Sequence, residues 1–429
     1  MSMKPRFATL LLFALALFSC GKKKEGNPNA SLPAQGVTFY LASDTHYLPP
    51  SLHDDGSYFQ SLSEKGDGKW MKWNEEIVSS LCEETASAKP DYLILTGDLS
   101  LNGEKKGWEA LHEKLEAVEK EGVKVCLIPG NHDFGEQNSP VRYVGEKAYS
   151  EEAMDRATFR ETFFDMGPDL ASSKDSSSCS YVVPVSRNLS FLFLDANGEN
   201  LNEVGEKTLR WLEKELEKMQ KNGVRAICFS HQNLLLHNEI FDTGYRIPQS
   251  EEILSLFSNY GVRLSFSGHL HIQHVKTEDG FTELTSSSLL VNPYQYGVVQ
   301  CDASALQANY GSVSVDLNSY AKRHSLTDED LLEFPDSGAH FFRSLYAKQA
   351  ENALPLFQMS SEDAEAAITA WMELNQAYFA GEAIDPSPYQ NGVEIFQKAA
   401  GGMLGAYLKS VYDSLSEGKN SQEGSFSLY

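Results

Sequence analysis

Short apolar runs of strand length alternate with amphipathic stretches of helical period over the first three quarters of the chain. Residues 37–43 (VTFYLAS), 92–96 (YLILT) and 124–128 (KVCLI) predict three strands. Between them, residues 74–88 place Ile77, Leu81 and Cys82 at helical spacing, and residues 104–121 do the same with Trp108, Leu111, Leu115 and Val118. Further on, residues 181–184 and 190–195 predict a hairpin, 205–221 a helix, 225–230 a strand, 250–259 a short helix and 264–267 a strand. Residues 275–285 predict a second hairpin, and 297–301 and 312–316 complete an antiparallel set.

Two stretches show no period. Residues 47–73 predict a long loop, in which Tyr58, Trp70 and Trp73 either line a substrate mouth or pack the loop down. Residues 135–178 read as irregular with a helix near 156–166. After about residue 322 strand signals stop. Residues 340–354, 361–380 and 392–415 predict helices of a small helical domain, its Leu, Phe, Tyr and Trp371 forming its own core; a stabilising role is expected, with capping of the cleft or oligomer formation as the alternatives. The Ser-, Gly- and Asn-rich tail from Ser416 is expected to fray.

The strand exits carry the chemistry. The first ends at Asp44-Thr45-His46, the second at Gly97-Asp98 and the third at Gly130-Asn131-His132-Asp133. The strand 225–230 ends at His231, and 264–267 leads to Gly268-His269-Leu270-His271. Parallel strands joined by helices bring their carboxyl ends to one edge, where open α/β sheets bind ligands. Carboxylates and neutral imidazoles are metal-ligand types. In extended backbone, side chains two residues apart leave on one side, which would let His269 and His271 face one centre. His53, His112, His237, His274, His324 and His340 stand outside this pattern.

The series DxH, GD, GNHD, H, GHxH resembles the calcineurin-like metallophosphoesterase family over about residues 37–320. The resemblance implies an α/β fold, a four-layer αββα sandwich of two mixed sheets, with a dinuclear centre. One divalent metal (manganese, iron or zinc) would take Asp44, His46 and His271, and the second Asn131, His231 and His269, with Asp98 bridging. A metal-bridging hydroxide would attack phosphorus, His132 would protonate the leaving oxygen, and Asp133 would orient its neighbours.

The closest texture is a cyclic-nucleotide phosphodiesterase-like branch of bacterial lipoproteins with a C-terminal helical domain. It is carried by LTGDLSLNGE at residues 95–104 and SHQNLL at 230–235. Many such enzymes have a second His where this chain has Gln232. The expected substrate is a small phosphodiester. A phosphomonoester or nucleotide substrate, or a non-enzymatic surface metal- or ligand-binding lipoprotein, are the alternatives.

Charge and cysteines change the picture in two respects. The formal net charge is −24, and without residues 1–20, which hold Lys4, Arg6 and no acid, 34 basic residues face 60 acidic ones, giving −26. So acidic a surface repels polyanions and argues against nucleic acid as a partner. Lys4 and Arg6 precede an apolar run at 7–18 that stops at Ser19-Cys20-Gly21, which resembles a lipobox. The resemblance implies a lipoprotein signal peptide over 1–20, acylation of Cys20 and export to a bacterial membrane surface. Residues 21–36 then read as a flexible tether able to reach about 50 Å, before a catalytic domain at 37–320 and a helical domain at 321–429. The other five cysteines form no CxxC pair, and Cys126 and Cys228 lie in strand-like runs as core residues.

Overall fold

Two mixed sheets lie face to face in the computed structural model, which describes Asn29, Leu32 and residues 36–428 apart from Glu136, Ala303 and Ala305. The strands are β1 (Val37–Ala42), β2 (Tyr92–Leu95), β3 (Lys124–Leu127), β4 (Val141–Val144), β5 (Lys147–Ser150), β6 (Ser173–Lys174), β7 (Tyr181–Ser186), β8 (Leu189–Leu194), β9 (Arg225–Ser230), β10 (Leu264–Ser267), β11 (His274–Glu278), β12 (Phe281–Thr285), β13 (Gln295–Asp302), β14 (Gln307–Ser314) and β15 (Glu423–Ser427). The helices are α1 (Ser57–Lys65), α2 (Asn74–Ala88), α3 (Lys105–Lys120), α4 (Arg156–Thr162), α5 (Glu206–Lys221), α6 (Ser250–Tyr260), α7 (Leu317–Arg323), α8 (Glu329–Leu332), α9 (Phe334–Ala353), α10 (Ser361–Ala380), α11 (Gln390–Ala400) and α12 (Gly402–Ser416).

The first sheet runs β15-β14-β13-β1-β2-β3 and the second β11-β12-β10-β9-β8-β7-β6. Strands β1, β2 and β3 are parallel, as are β8, β9, β10 and β12. Helices α2 and α3 cross over the first sheet, and α5 and α6 over the second. Side-chain alternation divides each strand between two cores. Phe39 and Leu41 of β1, Phe191 and Phe193 of β8, and Phe229 of β9 fill the space between the sheets. Leu93 and Leu95 of β2 turn outward onto Ile77 and Leu81 of α2 and Trp108 of α3. Leu192 and Cys228 turn outward onto Leu212 of α5 and Phe257 of α6. The order is therefore helix, sheet, sheet, helix. Phe39 sits at its centre, edge-on to Phe191, Phe229 and Phe266 at 5.2, 5.5 and 5.7 Å. Truncating such a side chain to Ala costs about 3–5 kcal/mol.

Helices α9–α12 share a further core, and Ile272 and Val291, from the segments after β10 and β12, belong to it. The helical region is thereby fastened to the chain beside His271.

Several expectations need correction. The 47–73 segment holds α1, with Phe59 buried on its inner face. Trp70 and Trp73 are buried, and Trp70 stacks on Phe334 and Phe341 at 5.5 and 4.8 Å, so they pack the segment down. The irregular 135–178 segment contains the β4–β5 hairpin, whose mostly exposed faces carry no apolar alternation. The predicted helix 392–415 breaks at Gly401, which takes φ +60°. The tail does not fray: β15 pairs antiparallel with β14 and closes that edge of the first sheet. Asn29, within the expected tether, is buried and donates to the carbonyls of Ser186 and Leu189 at 2.6 and 3.0 Å. Residues 1–20, including Cys20, lie outside the described residues. Cys126 and Cys228 are fully buried, and Cys82, Cys126, Cys179, Cys228 and Cys301 are all free thiols.

Candidate metal centre

The loops after β1, β2 and β3 meet those after β9 and β10 at one end of the sandwich. Backbone bonds zip them together: Asp44 N donates to Gly97 O at 3.0 Å, His46 N to Asp98 O at 2.9 Å, and Gly268 N to His231 O at 2.9 Å. At the start of α2, Asn74 accepts from Leu48 N at 2.8 Å and donates to Thr45 O at 3.1 Å, which fixes the loop after β1.

Five of these residues hold left-handed backbone: Asp44 (φ +52°), His46 (+36°), Asp98 (+46°), His269 (+71°) and His271 (+58°). Such conformations cost about 1–3 kcal/mol each and gather where geometry matters more than relaxation. They also correct the strand argument for His269 and His271. Strand β10 ends at Ser267, and the two rings are aimed by a turn. The turn is possible because Gly268 has no side chain: a Cβ there would lie 1.9 Å from Ser43 Oγ and 2.6 Å from Asp44 Oδ2. Likewise a Cβ on Gly130 would lie 2.2 Å from Asp98 Oδ1.

The donors form two clusters that share Asp98. Asp44, His46, Asp98 and His271 make one, and Asp98, His231 and His269 the other, each with its donor atoms within 4.8 Å of one another. In the first, His46 Nε2 lies 3.2 Å from His271 Nε2, and His271 Nε2 lies 3.3 Å from Asp44 Oδ1. In the second, His231 Nε2 lies 3.2 Å from Asn131 Oδ1 and 3.3 Å from Asp98 Oδ1. The other oxygen, Asp98 Oδ2, is 3.8 Å from His46 Nε2.

The tautomers test whether cations fit. His231 Nδ1 donates to Thr96 O at 2.8 Å, so the neutral ring presents a lone pair at Nε2. His269 Nε2 donates to Gly244 O at 3.0 Å, leaving the lone pair at Nδ1. His271 Nδ1 is held by Asp67 Oδ2 at 2.6 Å, leaving Nε2. Lone pairs and carboxylate oxygens thus converge on the same space, an arrangement that repels itself unless positive charge lies between. Electrostatics agree. Burial works against a charge on His231, yet Asp98 overrides it and lifts the pKa to about 9. Burial likewise opposes a charge on His271, and Asp67 and Asp44 lift it to about 9. Desolvation of the half-buried His269, with His231 beside it, pushes its pKa down to about 4. The residues fit a pair of divalent cations.

His132 and Asp133 frame the centre. His132 N donates to Asp98 Oδ1 at 2.8 Å and its Nδ1 to Leu101 O at 2.9 Å; the ring stands edge-on to His46 at 5.0 Å. Asp133 accepts from Gly130 N at 2.8 Å, Ser100 N at 2.9 Å, Ser100 Oγ at 3.1 Å and Leu99 N at 3.2 Å, tying the Asp98 loop to the Asn131 loop. Burial, with Asp98 nearby, pushes its pKa up to about 7, and the backbone donors of Ser100, Gly130 and Leu99 act in the opposite sense. The histidines outside the pattern lie elsewhere: His53 stacks on Phe59 at 3.8 Å, and His237 sits between His274 and Glu283 at 2.9 and 3.3 Å.

Sequence reasoning missed Asp67, the carboxylate behind His271. Its one signal is its place in a Gly66-Asp67-Gly68 turn inside a segment that had no period. It also missed what Gln232 does. The Gln232 amide donates to Asn197 Oδ1 at 3.0 Å and Asn202 Oδ1 at 2.6 Å, and lies 3.4 Å from Asn131 Oδ1. It thereby holds Asn131 toward His231.

Two buried acid-and-imidazole clusters sharing one carboxylate, at the strand ends of an αββα sandwich, define a metallohydrolase type of centre. The chain belongs to the calcineurin-like phosphoesterase family, which matches residues 37–273. Residues 316–416 match the C-terminal domain of cyclic nucleotide phosphodiesterase. Among curated relatives, a probable cyclic nucleotide phosphodiesterase of Fibrobacter succinogenes is 24% identical over 46% of this chain and 64% of that protein. The serine/threonine-protein phosphatase CPPED1 of Rattus norvegicus is 25% identical over 51% of this chain and 66% of that protein. The chain thus spans just under two thirds of either relative. Among solved structures, a dimetal phosphatase from Danio rerio is similar with TM-score 0.48 and 15% identity, over 65% of this chain and 97% of that one. A purple acid phosphatase from yellow lupin has TM-score 0.45 and 13% identity, over 66% of this chain and 52% of that one.

Proposed function

We propose that this chain is a dinuclear-metal-dependent phosphodiesterase acting on small phosphodiesters. The observation that carries the reading is the position of Asp98, whose two carboxylate oxygens face two different donor clusters. Asp44, His46 and His271 would hold one cation, Asn131, His231 and His269 the other, and Asp98 both. Bound there, two divalent cations such as manganese, iron or zinc supply charge to the phosphoryl oxygens and an acidified water as nucleophile.

The chain's own groups do the rest. His132 is oriented through Nδ1 by the Leu101 carbonyl, so its Nε2 is the atom that gives a proton to the departing oxygen. Asp133 and Gln232 keep the Asp98 loop and Asn131 in register. The diester preference is supported by the description of the C-terminal match and by the name of the Fibrobacter relative. The rat relative's name favours a phosphomonoester instead.

The test is turnover of bis(p-nitrophenyl) phosphate against p-nitrophenyl phosphate by manganese-reconstituted protein. Faster diester hydrolysis, lost in Asp98→Ala, is the expected result. Faster monoester hydrolysis would move the reading to a phosphatase, and equal turnover by Asp98→Ala would end the metal mechanism. The proposal includes export and a lipid anchor at Cys20, a catalytic unit over 37–320 and a helical unit over 321–429. These rest on the N-terminal pattern and on the composition shift near residue 322, with residues 423–427 returning from the helical unit to the first sheet as β15.

A further inference from the structure

A cleft of about 560 Å³ opens directly beside His269 and His271. One wall comes from the loops of the sandwich and the other from the C-terminal helices, with Trp371 of α10 and Leu404 and Tyr407 of α12 among its lining. The walls mix aromatic and aliphatic side chains, with Asp67, Lys69 and Gln349 among them, and four of the aromatic rings continue in a row from His269. From His269 the centroid distances are 5.3 Å to Tyr245, 4.9 Å on to Phe241, 5.5 Å on to Tyr407 and 5.7 Å on to Trp371. The row begins at a candidate metal ligand and ends at Trp371, which also stacks on Phe396 at 4.6 Å in the core of the helical region.

Two further observations point to a ligand. Trp371 is 5% exposed, and among the described residues its indole Nε1 is buried without a hydrogen-bond partner, as is that of Trp73 away from the cleft. Buried indole N–H groups ordinarily find an acceptor. At the mouth of the cleft, Met403 and Leu404 are 69% and 41% exposed and Tyr245 is 37% exposed, so apolar surface is left facing water around a concave site. Large exposed apolar groups gathered at one pocket mark binding.

We propose that the C-terminal helices complete a substrate site, and that this cleft takes a flat aromatic substituent carried by the phosphoester. The proposal rests on the reading that phosphoester binds at the Asp98 centre, and it adds the chemical class of the substituent. The volume accommodates a phosphate and a one- or two-ring aromatic group. An alkyl chain gains only buried area from such walls. A flat ring gains offset and edge-to-face contacts as well. The helical region is then more than a prop: it supplies the specificity face of an active site whose reacting groups all come from the sandwich.

The test is calorimetric binding of phenylphosphonate and methylphosphonate to the metal-loaded full chain. Each ligand carries one phosphorus anion and one substituent, so turnover is not required. The expected result is phenylphosphonate binding about tenfold or more tighter, with the ratio falling toward one in both Phe241→Ala and Leu404→Asp. Leu404 lies at the surface, so its variant remains informative if Phe241→Ala folds poorly. A wild-type ratio near one, a ratio unchanged in both variants, or no binding of phenylphosphonate overturns the proposal. A nucleoside phosphonate as third ligand separates the sources of the ring. Tighter binding than phenylphosphonate assigns a nucleobase, weaker binding a simple aryl group. If the aryl preference holds while neither p-nitrophenyl ester is hydrolysed, the hydrolytic reading fails and the aromatic site stands.

Discussion

Asp67 Oδ2 accepts a hydrogen bond of 2.6 Å from His271 Nδ1, and the backbone oxygen of the same Asp67 accepts one of 3.3 Å from the Tyr346 hydroxyl of α9. A carboxylate behind a ligating imidazole fixes the tautomer and raises its basicity, and its loss typically weakens metal binding by about 10–100-fold. Asp67→Asn is therefore expected to weaken one of two metal-binding events by that factor while the other is spared. Calorimetric metal titration of the apo protein reads both. Two unchanged binding constants would remove Asp67 from the centre.

His132 and Asp98 should separate by metal content. The His132 ring belongs to neither donor cluster and the backbone bond from its N to Asp98 survives truncation, so His132→Ala should keep its metals and lose about 10²–10⁴-fold in kcat, the usual share of a general acid. Asp98→Asn should lose metals and turnover together. Elemental analysis beside kinetics decides the matter. Metal loss in His132→Ala would make it a ligand.

Gly268 is a steric requirement. Its substitution by Ala forces a Cβ to within 1.9 Å of Ser43 Oγ, which must move with the Asp44 carboxylate that it hydrogen-bonds at 2.5 Å. Gly268→Ala should cost about 1–3 kcal/mol in urea unfolding, as overpacking does, and lower metal occupancy. Wild-type behaviour on both counts would mean that the loop relaxes elsewhere.

The last strand is expected to matter more than its composition suggests. A chain ending at residue 416 leaves the β14 edge unpaired. It also loses Ser421, whose carbonyl accepts from Gln273 Nε2 at 2.9 Å and whose hydroxyl accepts from Val275 N at 3.1 Å. Open edges pair with other chains. Light scattering should show aggregation of the truncated chain under conditions that keep the full chain monodisperse.

His274 ties stability to pH. Burial, reinforced by His237 and Lys276, holds its pKa down to about 3, against an ordinary value of about 6.5. The unfolded chain takes up this proton first as pH falls, so its contribution favours the native state above about pH 6.5 and is lost progressively toward pH 3. The ring is bounded by His237, Lys276, Ser414 and Tyr378. The melting temperature should drop between pH 7.5 and pH 5, and by less in His274→Gln. An equal drop in both proteins would assign the acid sensitivity to other groups.

The succession of the strands β1–β3 and β7–β14, the crossover helices and the residues at the strand exits were legible in the chain. Local sequence dictates them: Phe39 and Leu41 alternate with smaller positions, Ile77 and Leu81 recur at helical spacing, and each ligand-type residue follows an apolar run that has to end. The gathering of these residues at one end was legible for the same reason, because parallel topology carries strand ends to one side. What the chain could not announce depends on partners distant in sequence. Asp67 becomes an orienting carboxylate only because folding sets it beside the His271 loop and α9, 204 positions from its partner. Polar residues 423–427 become a strand only because β14 offers an unpaired edge. Phe241, Tyr407 and Trp371 look like core residues of separate segments, and only folding sets their rings in a row that starts at His269. Periodicity reports which face of an element is buried. It carries no information about what that face is buried against, and the contact of Asp67 with His271 and the cleft are made of that choice.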